Sequence, residues 1–188
     1  MIALAAVPSA LLCLAIRLES PGNPIYSQIR MGRLDKDGTL HPFRMYKFRS
    51  MYADADERLE DLLDQNEVEG AMFKMRDDPR VTPIGRFIRK HSIDEFPQFV
   101  NVLLGQMSLV GPRPPLPREI PEYSERDFRR LTVKPGLTGP WQVSGRSDLS
   151  FSEMVDLDLD YIERRGLLYD LRLIARTVRV VLTGEGAA

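Results

Sequence analysis

The sequence carries a single cysteine, Cys13, so it can form no internal disulfide and no cysteine-based zinc site. Its two histidines, His41 and His91, are too few for a multi-histidine metal centre. A hard cation held by carboxylates is the metal chemistry left open. Neither sign of charge dominates: 26 Lys and Arg stand against 27 Asp and Glu, a net charge of −1 that gives no global case for nucleic acid. Neither G-x-x-x-x-G-K-[ST] nor G-x-G-x-x-G occurs, which removes nucleotide binding by those loops. Repeats and low-complexity segments are absent, and 188 residues suffice for one domain with its own core.

A long hydrophobic run is also missing, with one partial exception. Met1 to Ile16 is apolar apart from Pro8 and Ser9 and is followed by Arg17. As a helix it reaches about 24 Å, short of the roughly 30 Å hydrocarbon core. A signal peptide carries its charge before the apolar stretch, and here the charge follows. A buried core helix is one reading. Pro8-Ser9 in mid-run favours another: a bent segment that enters one leaflet and returns, or a truncated longer span, with Arg17 snorkelling to the headgroups.

What is present is organised by turns and caps. Ser20-Pro21-Gly22-Asn23-Pro24 reads as a loop. Ile25–Ile29 and Phe43–Phe48 alternate as strands, and Asp35-Lys36-Asp37-Gly38 between them predicts a hairpin. Arg30, Arg33, Lys47 and Arg49 would give that hairpin a basic face, unless it is an ordinary solvated surface. Eight acidic residues against one basic residue lie between Asp54 and Glu69. Asp54 to Asn66 reads as an acidic helix, and the segment on to Met75 as a mobile loop. Ile84 to Lys90 is expected to be a short basic helix with Phe87 and Ile88 facing inward.

Val110-Gly111-Pro112-Arg113-Pro114-Pro115 must be extended and stiff, because proline fixes φ and restricts the residue before it. Such a segment can hold Arg113 for an anion or serve as a plain linker. Glu119 to Leu131 reads as helical. Lys134 to Arg146 is a glycine-proline loop bearing Trp141, in which Gly139 and Gly145 permit close approach of a ligand. Ser150 and Glu153 form a capping box for a helix through about Arg164. Asp156, Asp158 and Asp160 on that helix point different ways and cannot share one site. Leu168 to Leu182 puts Leu171, Ile174, Val178 and Val181 on one stripe beside Arg172, Arg176 and Arg179. That pattern suits either an anionic membrane surface or core packing.

One stretch combines cations, carboxylates and a helix start: Arg86-Phe87-Ile88-Arg89-Lys90-His91-Ser92-Ile93-Asp94-Glu95-Phe96-Pro97-Gln98. With Asp94 as N-cap, a helix is expected from Glu95 to about Leu104, with Pro97 in its first turn and Gly105 ending it. Ser92 to Glu95 also matches a capping box, so capping alone is one reading of the two acids. The other is chemistry: carboxylates at the positive end of a helix beside a basic approach, a place that suits phosphate.

Taken together, these residues resemble the bacterial sugar transferase family, the monotopic phosphoglycosyl transferases. The matches are Ser20-Pro21-Gly22, Lys47 to Met51, Asp78 to Thr82, Gly85 to Lys90, Ser92 to Gln98 and Asn101-Val102-Leu103. They continue with Ser108 to Pro114, Pro135 to Gly139, Trp141 to Arg146, Asp158 to Tyr161 and Asp170-Leu171. The family's membrane helix is normally longer upstream and breaks at Ser-Pro, where this chain has Pro8-Ser9.

The resemblance implies an α+β, mainly helical fold: a short basic β-hairpin, amphipathic surface helices and an N-terminal re-entrant membrane helix, complete or truncated. Residues 1–19 would be the membrane-associated part and 20–188 the cytosolic catalytic domain. It implies transfer of a sugar 1-phosphate from a UDP-sugar to polyprenyl phosphate at the cytoplasmic face of the bacterial inner membrane, in exopolysaccharide, O-antigen or glycoconjugate synthesis. Asp94 would be the nucleophile that forms a phosphosugar-aspartate and expels UMP. Glu95 would hold Mg²⁺, and Lys47, Arg49, Arg89, Arg113 and Arg146 would contact substrate phosphates. No nucleic-acid partner is implied, and homo-oligomerisation is left open. The competing classes are a membrane-surface lipid-binding relative without catalysis and a Mg²⁺-dependent phosphohydrolase. No segment can be tied to a particular sugar.

Overall fold

The computed structural model of the chain describes residues 2–67, 73, 75, 77–145 and 149–183, with 2–5 described in backbone only. The expected mobile loop before Met75 and the candidate Arg146 thus fall largely or wholly outside the described residues.

The fold is α+β. Helix α1 (Ile2–Glu19) leads into an antiparallel hairpin of β1 (Ile25–Leu34) and β2 (Leu40–Phe48). The turn is where the sequence puts it: Asp35 N–H donates to Thr39 O and Gly38 N–H to Asp35 O. The strands are longer than the alternating cores alone predict, and their register pairs Tyr26 with Lys47, Gln28 with Met45 and Arg30 with Phe43. A second, parallel pair joins β3 (Ser108–Val110) to β4 (Gly136–Thr138). The two chains approach so closely there that a Cβ on Gly136 would lie 2.0 Å from Gly111 N. Gly139 answers the same constraint: a Cβ on it would lie 2.6 Å from Gly111 O, so backbone, and not the expected ligand, requires that glycine.

The remaining helices are α2 (Pro83–Lys90), α3 (Gln98–Leu103), α4 (Glu125–Phe128), α5 (Phe151–Arg164) and α6 (Leu167–Thr183). The Ser150–Glu153 capping box starts α5 as read from sequence. The three acids of α5 separate as expected. Asp156 bonds Arg126, Asp160 pairs with Arg164 at 2.9 Å, and Asp158 is fully buried against Arg130.

Three expected helices come out differently. The acidic segment folds as a 3-10 helix, Glu57–Gln65, with no buried residue. Too little of it packs to stabilise a longer α-helix. Glu119 to Leu131 is split into a 3-10 turn (Pro117–Glu122), α4 and a second 3-10 turn (Arg129–Thr132), since Pro121 interrupts the backbone ladder. In α2, Ile88 is buried as expected but Phe87 is exposed, so only one of the two faces inward.

α1 stays helical through Pro8. Its inner side delivers Ile16 into a cluster with Phe48 and Ile88, while Val7, Leu11, Leu14 and Leu18 face outward. Among the described residues no helix is long and apolar enough to cross a membrane. The expected stripe of α6 divides: Leu171 and Val178 are exposed, while Ile174 and Val181 are half-buried. Leu173 enters the core with Val110 and Tyr161, whereas Leu167, Leu171, Val178 and Leu182 form an exposed apolar stripe.

Candidate active site

The two carboxylates sit on a tight reversal between α2 and α3. α2 begins where Thr82 Oγ1 accepts from Gly85 N–H, and its last turn carries Arg89 and Lys90. Ser92 then adopts φ 52°, the only left-handed non-glycine conformation among the described residues. Such a conformation costs about 1 kcal/mol or more and recurs at functional turns. It swings the chain into a 3-10 turn, Ile93–Glu95, before α3 starts at Gln98.

The helix expected from Glu95 with Asp94 as its cap is therefore not what forms. The left-handed Ser92 makes no side-chain cap bond, and the one-turn 3-10 segment separates the dyad from α3. Three residues of 3-10 and six of α-helix carry little macrodipole, so positive charge at the dyad comes from side chains.

Those side chains arrive from β2 and α2. Lys47 Nζ lies 2.8 Å from Glu95 Oε1 and 3.7 Å from Asp94 Oδ2. Asp94 is buried, and that burial pushes its carboxyl up to about 6; the charge of Lys47 opposes the rise, Glu95 adds to it, and Arg89 opposes it. A carboxylate thus kept poorly solvated, yet ionised at neutral pH, is suited to attack an electrophile.

Asn101 fixes the distance between the dyad and Lys47. Its side chain is fully buried, accepts from Tyr46 N–H (3.1 Å) and donates to Arg44 O (2.6 Å) and Gln106 Oε1 (2.7 Å). The first two bonds straddle β2 just before Lys47, so α3 is locked to the strand that supplies the lysine. In the sequence Asn101 stands out only as a polar side chain in an apolar run, and that is the signal for it.

The other candidates divide. Arg113 is held as the proline-rich stretch predicts, between buried Pro112 and Pro114, and its charge reaches Arg30 and Tyr123. Arg30, expected on the hairpin's basic face, is buried, donating to Pro114 O (3.0 Å) and Gln28 Oε1 (2.8 Å). Burial and the neighbouring charge of Arg113 pull its guanidinium down to about 9. Glu95 and Glu119 partly offset this, so Arg30 extends the same basic cluster.

Arg49 points elsewhere. It donates to the carbonyls of Ser20 (2.6 Å), Pro21 (2.5 Å) and Ile16 (3.5 Å), clasping the end of α1 to the loop that follows. Gly22, at φ 112°, leaves room for that guanidinium, since a Cβ there would come within 2.5 Å of Arg49 Nη1. The basic face thus splits between a cluster near the dyad and a structural clasp.

For a cation the two adjacent carboxylates are the available donors, because no group of three or more His, Cys, Asp or Glu side chains converges among the described residues. That set matches Mg²⁺ carried by substrate phosphates, which needs only one or two protein carboxylates, and not an all-protein cage. Beside the dyad, α3 turns Phe99, Val100 and Leu103 outward, and Leu104 follows them.

The sequence has relatives among known proteins. Galactosyl transferase CpsE of Streptococcus agalactiae serotype III is 51% identical over 173 residues, which is 91% of this chain and 37% of that protein. Undecaprenyl-phosphate galactose phosphotransferase of Salmonella typhimurium is 44% identical, over 88% of this chain and 35% of its own length. UDP-N-acetylgalactosamine-undecaprenyl-phosphate N-acetylgalactosaminephosphotransferase of Aeromonas hydrophila is 39% identical, over 92% and 38%. The chain therefore spans little more than a third of the length of these relatives. The family described as bacterial sugar transferase matches residues 1–184, and the chain belongs to that family.

Proposed function

We propose that this chain transfers a sugar 1-phosphate from a UDP-sugar to polyprenyl phosphate at the cytoplasmic face of the membrane. The observation that carries the reading is Asp94: a buried carboxylate with its pKa raised, 3.7 Å from Lys47 and adjacent to Glu95. The named activities of the relatives support the acceptor class.

In the first half-reaction an Asp94 oxygen attacks the sugar-bearing phosphorus. The bond from that phosphorus to the bridging oxygen breaks, and UMP departs with the electron pair, leaving the phosphosugar on Asp94. In the second, a phosphate oxygen of the lipid attacks the same phosphorus, the bond to Asp94 breaks, and the carboxylate is regenerated. Lys47 offsets the repulsion between carboxylate and diphosphate and meets the developing charge, with Arg89 and Arg113 adding to the same field. Glu95, alone or with Asp94, would hold a Mg²⁺ that, when bound, neutralises diphosphate charge.

The acceptor stays in the membrane, and the molecule has apolar surface to meet it. α3 exposes its apolar side within a few residues of the dyad, and α1 and α6 carry exposed apolar stripes. Lipid contact through α3 would hold the carboxylates at headgroup depth. The test is UMP release by purified protein with Mg²⁺, UDP-sugars and polyprenyl phosphate. Release that depends on Asp94 is the expected result. Undiminished release by Asp94→Asn would refute the nucleophile, and steady turnover without a lipid acceptor would point to a phosphohydrolase instead.

A further inference from the structure

Along β1 runs a groove of about 740 Å³, within the range of about 300–1,000 Å³ usual for small-molecule sites. Its floor is β1 from Tyr26 to Ile29, one wall is the 3-10 helix Glu57–Gln65, and the other is the 3-10 turn Pro117–Glu122. It begins next to the dyad, because Tyr26 is the cross-strand partner of Lys47. Gln28, which also lines it, accepts from the buried Arg30.

We propose that this groove is the nucleoside subsite of the donor, a conclusion that rests on the transferase reading above. Three features fix the occupant and its direction. Among the described residues the groove is charged opposite to the site it adjoins: Asp56, Glu60 and Glu122 line it with Arg118, while Lys47, Arg30 and Arg113 lie at the dyad end. A diphosphate is drawn to the cationic end and repelled from the acidic one, so the groove takes the uncharged part of the donor.

Leu59 and Leu63 supply apolar wall, which matches the flat faces of a base better than a hexose ringed by hydroxyls. Carboxylates beside them are acceptors suited to ribose hydroxyls, and Asp56 is already oriented by the Tyr26 hydroxyl, which donates to it at 3.2 Å. Displacement at phosphorus also places the leaving group opposite the attacking oxygen. The groove opens beside Lys47 through its cross-strand partner Tyr26, so the departing nucleotide has its place there.

The experiment uses Leu59→Asn combined with Leu63→Asn. Neither leucine is buried and the 3-10 helix contains no buried residue, so the substitution removes groove wall without opening a core. Inhibition constants for UMP and for the sugar 1-phosphate are measured on the wild type and the variant, with KM and kcat for the UDP-sugar. The expected result is a rise of about tenfold or more in KM and in the UMP inhibition constant, with kcat and the sugar 1-phosphate constant within about threefold. Unchanged UMP inhibition in an active variant overturns the subsite and leaves the transferase reading standing. A selective loss of sugar 1-phosphate affinity overturns it in favour of a sugar pocket. A wild-type protein that neither releases nor binds UMP removes both the subsite and the reading beneath it.

Discussion

Asp94 is asked to be two things that oppose each other, buried and ionised. Burial raises its carboxyl to about 6, so below that pH the attacking form falls tenfold per unit. kcat/KM is expected to climb with unit slope to about pH 6 and then level. Because the charge of Lys47 lowers this pKa and that of Glu95 raises it, the limb should move to higher pH in Lys47→Met and to lower pH in Glu95→Gln. A pH–rate series on the three proteins checks both directions; coincident limbs would mean that another group titrates. The same pKa has a stability consequence. A carboxyl whose folded pKa exceeds its unfolded value of about 3.9 binds more protons when folded, so stability falls as pH rises from about 4 to about 6. Asp94→Asn, relieved of that cost, is expected to melt no lower than wild type at pH 7.5, which makes it a clean test of chemistry.

At the scale of elements, the hairpin and α3 matter most, and Asn101 joins them. Asn101→Ala leaves Tyr46 N–H and Arg44 O without their side-chain partner in a partly buried seam, a loss of about 2–3 kcal/mol. Its kinetic signature should be a lower kcat and an acid limb moved upward, because Lys47 loses its fixed distance to Asp94; simple destabilisation would leave the limb in place. α3 also offers a way to separate the half-reactions. Leu103 and Leu104 are 73% and 63% exposed, so Leu103→Lys with Leu104→Lys should not disturb packing. In lipid vesicles the pair is expected to lower transfer to polyprenyl phosphate about tenfold while leaving the first burst of UMP unchanged. Equal loss in both phases would contradict a lipid-facing α3.

Local chemistry explains which elements could be read in advance. The β1–β2 turn and the capping box of α5 are specified within a few residues, and both form as read. The break after Glu95 depends on Ser92 taking a left-handed conformation that its own chemistry does not favour, so the capping rules pointed to a longer helix. Arg30 and Arg49 share a strand-like pattern with Lys47, and only tertiary partners separate them. Pro114 and Gln28 take the first, and the carbonyls after α1 take the second.

For the molecule as a whole, a buried ion pair ties α5 to the 3-10 turn Arg129–Thr132. Asp158 of α5 and Arg130 are both buried and paired, and Arg130 Nη1 also donates to the Tyr123 hydroxyl at 3.3 Å. Asp158→Ala strands a buried cation and is expected to cost about 3–5 kcal/mol, read as a large drop in melting temperature. A change within about 0.5 kcal/mol would show that the pair is solvated in solution.

The central claim is that Asp94 carries the phosphosugar between donor and acceptor. Intact-protein mass spectrometry after mixing the chain with Mg²⁺ and UDP-sugar, with no lipid present, tests it directly. The account predicts a mass increase equal to one sugar 1-phosphate less one water, mapped to Asp94, lost on adding polyprenyl phosphate and absent from Asp94→Asn. Transfer that proceeds with no such adduct, or an adduct on another residue, would contradict it.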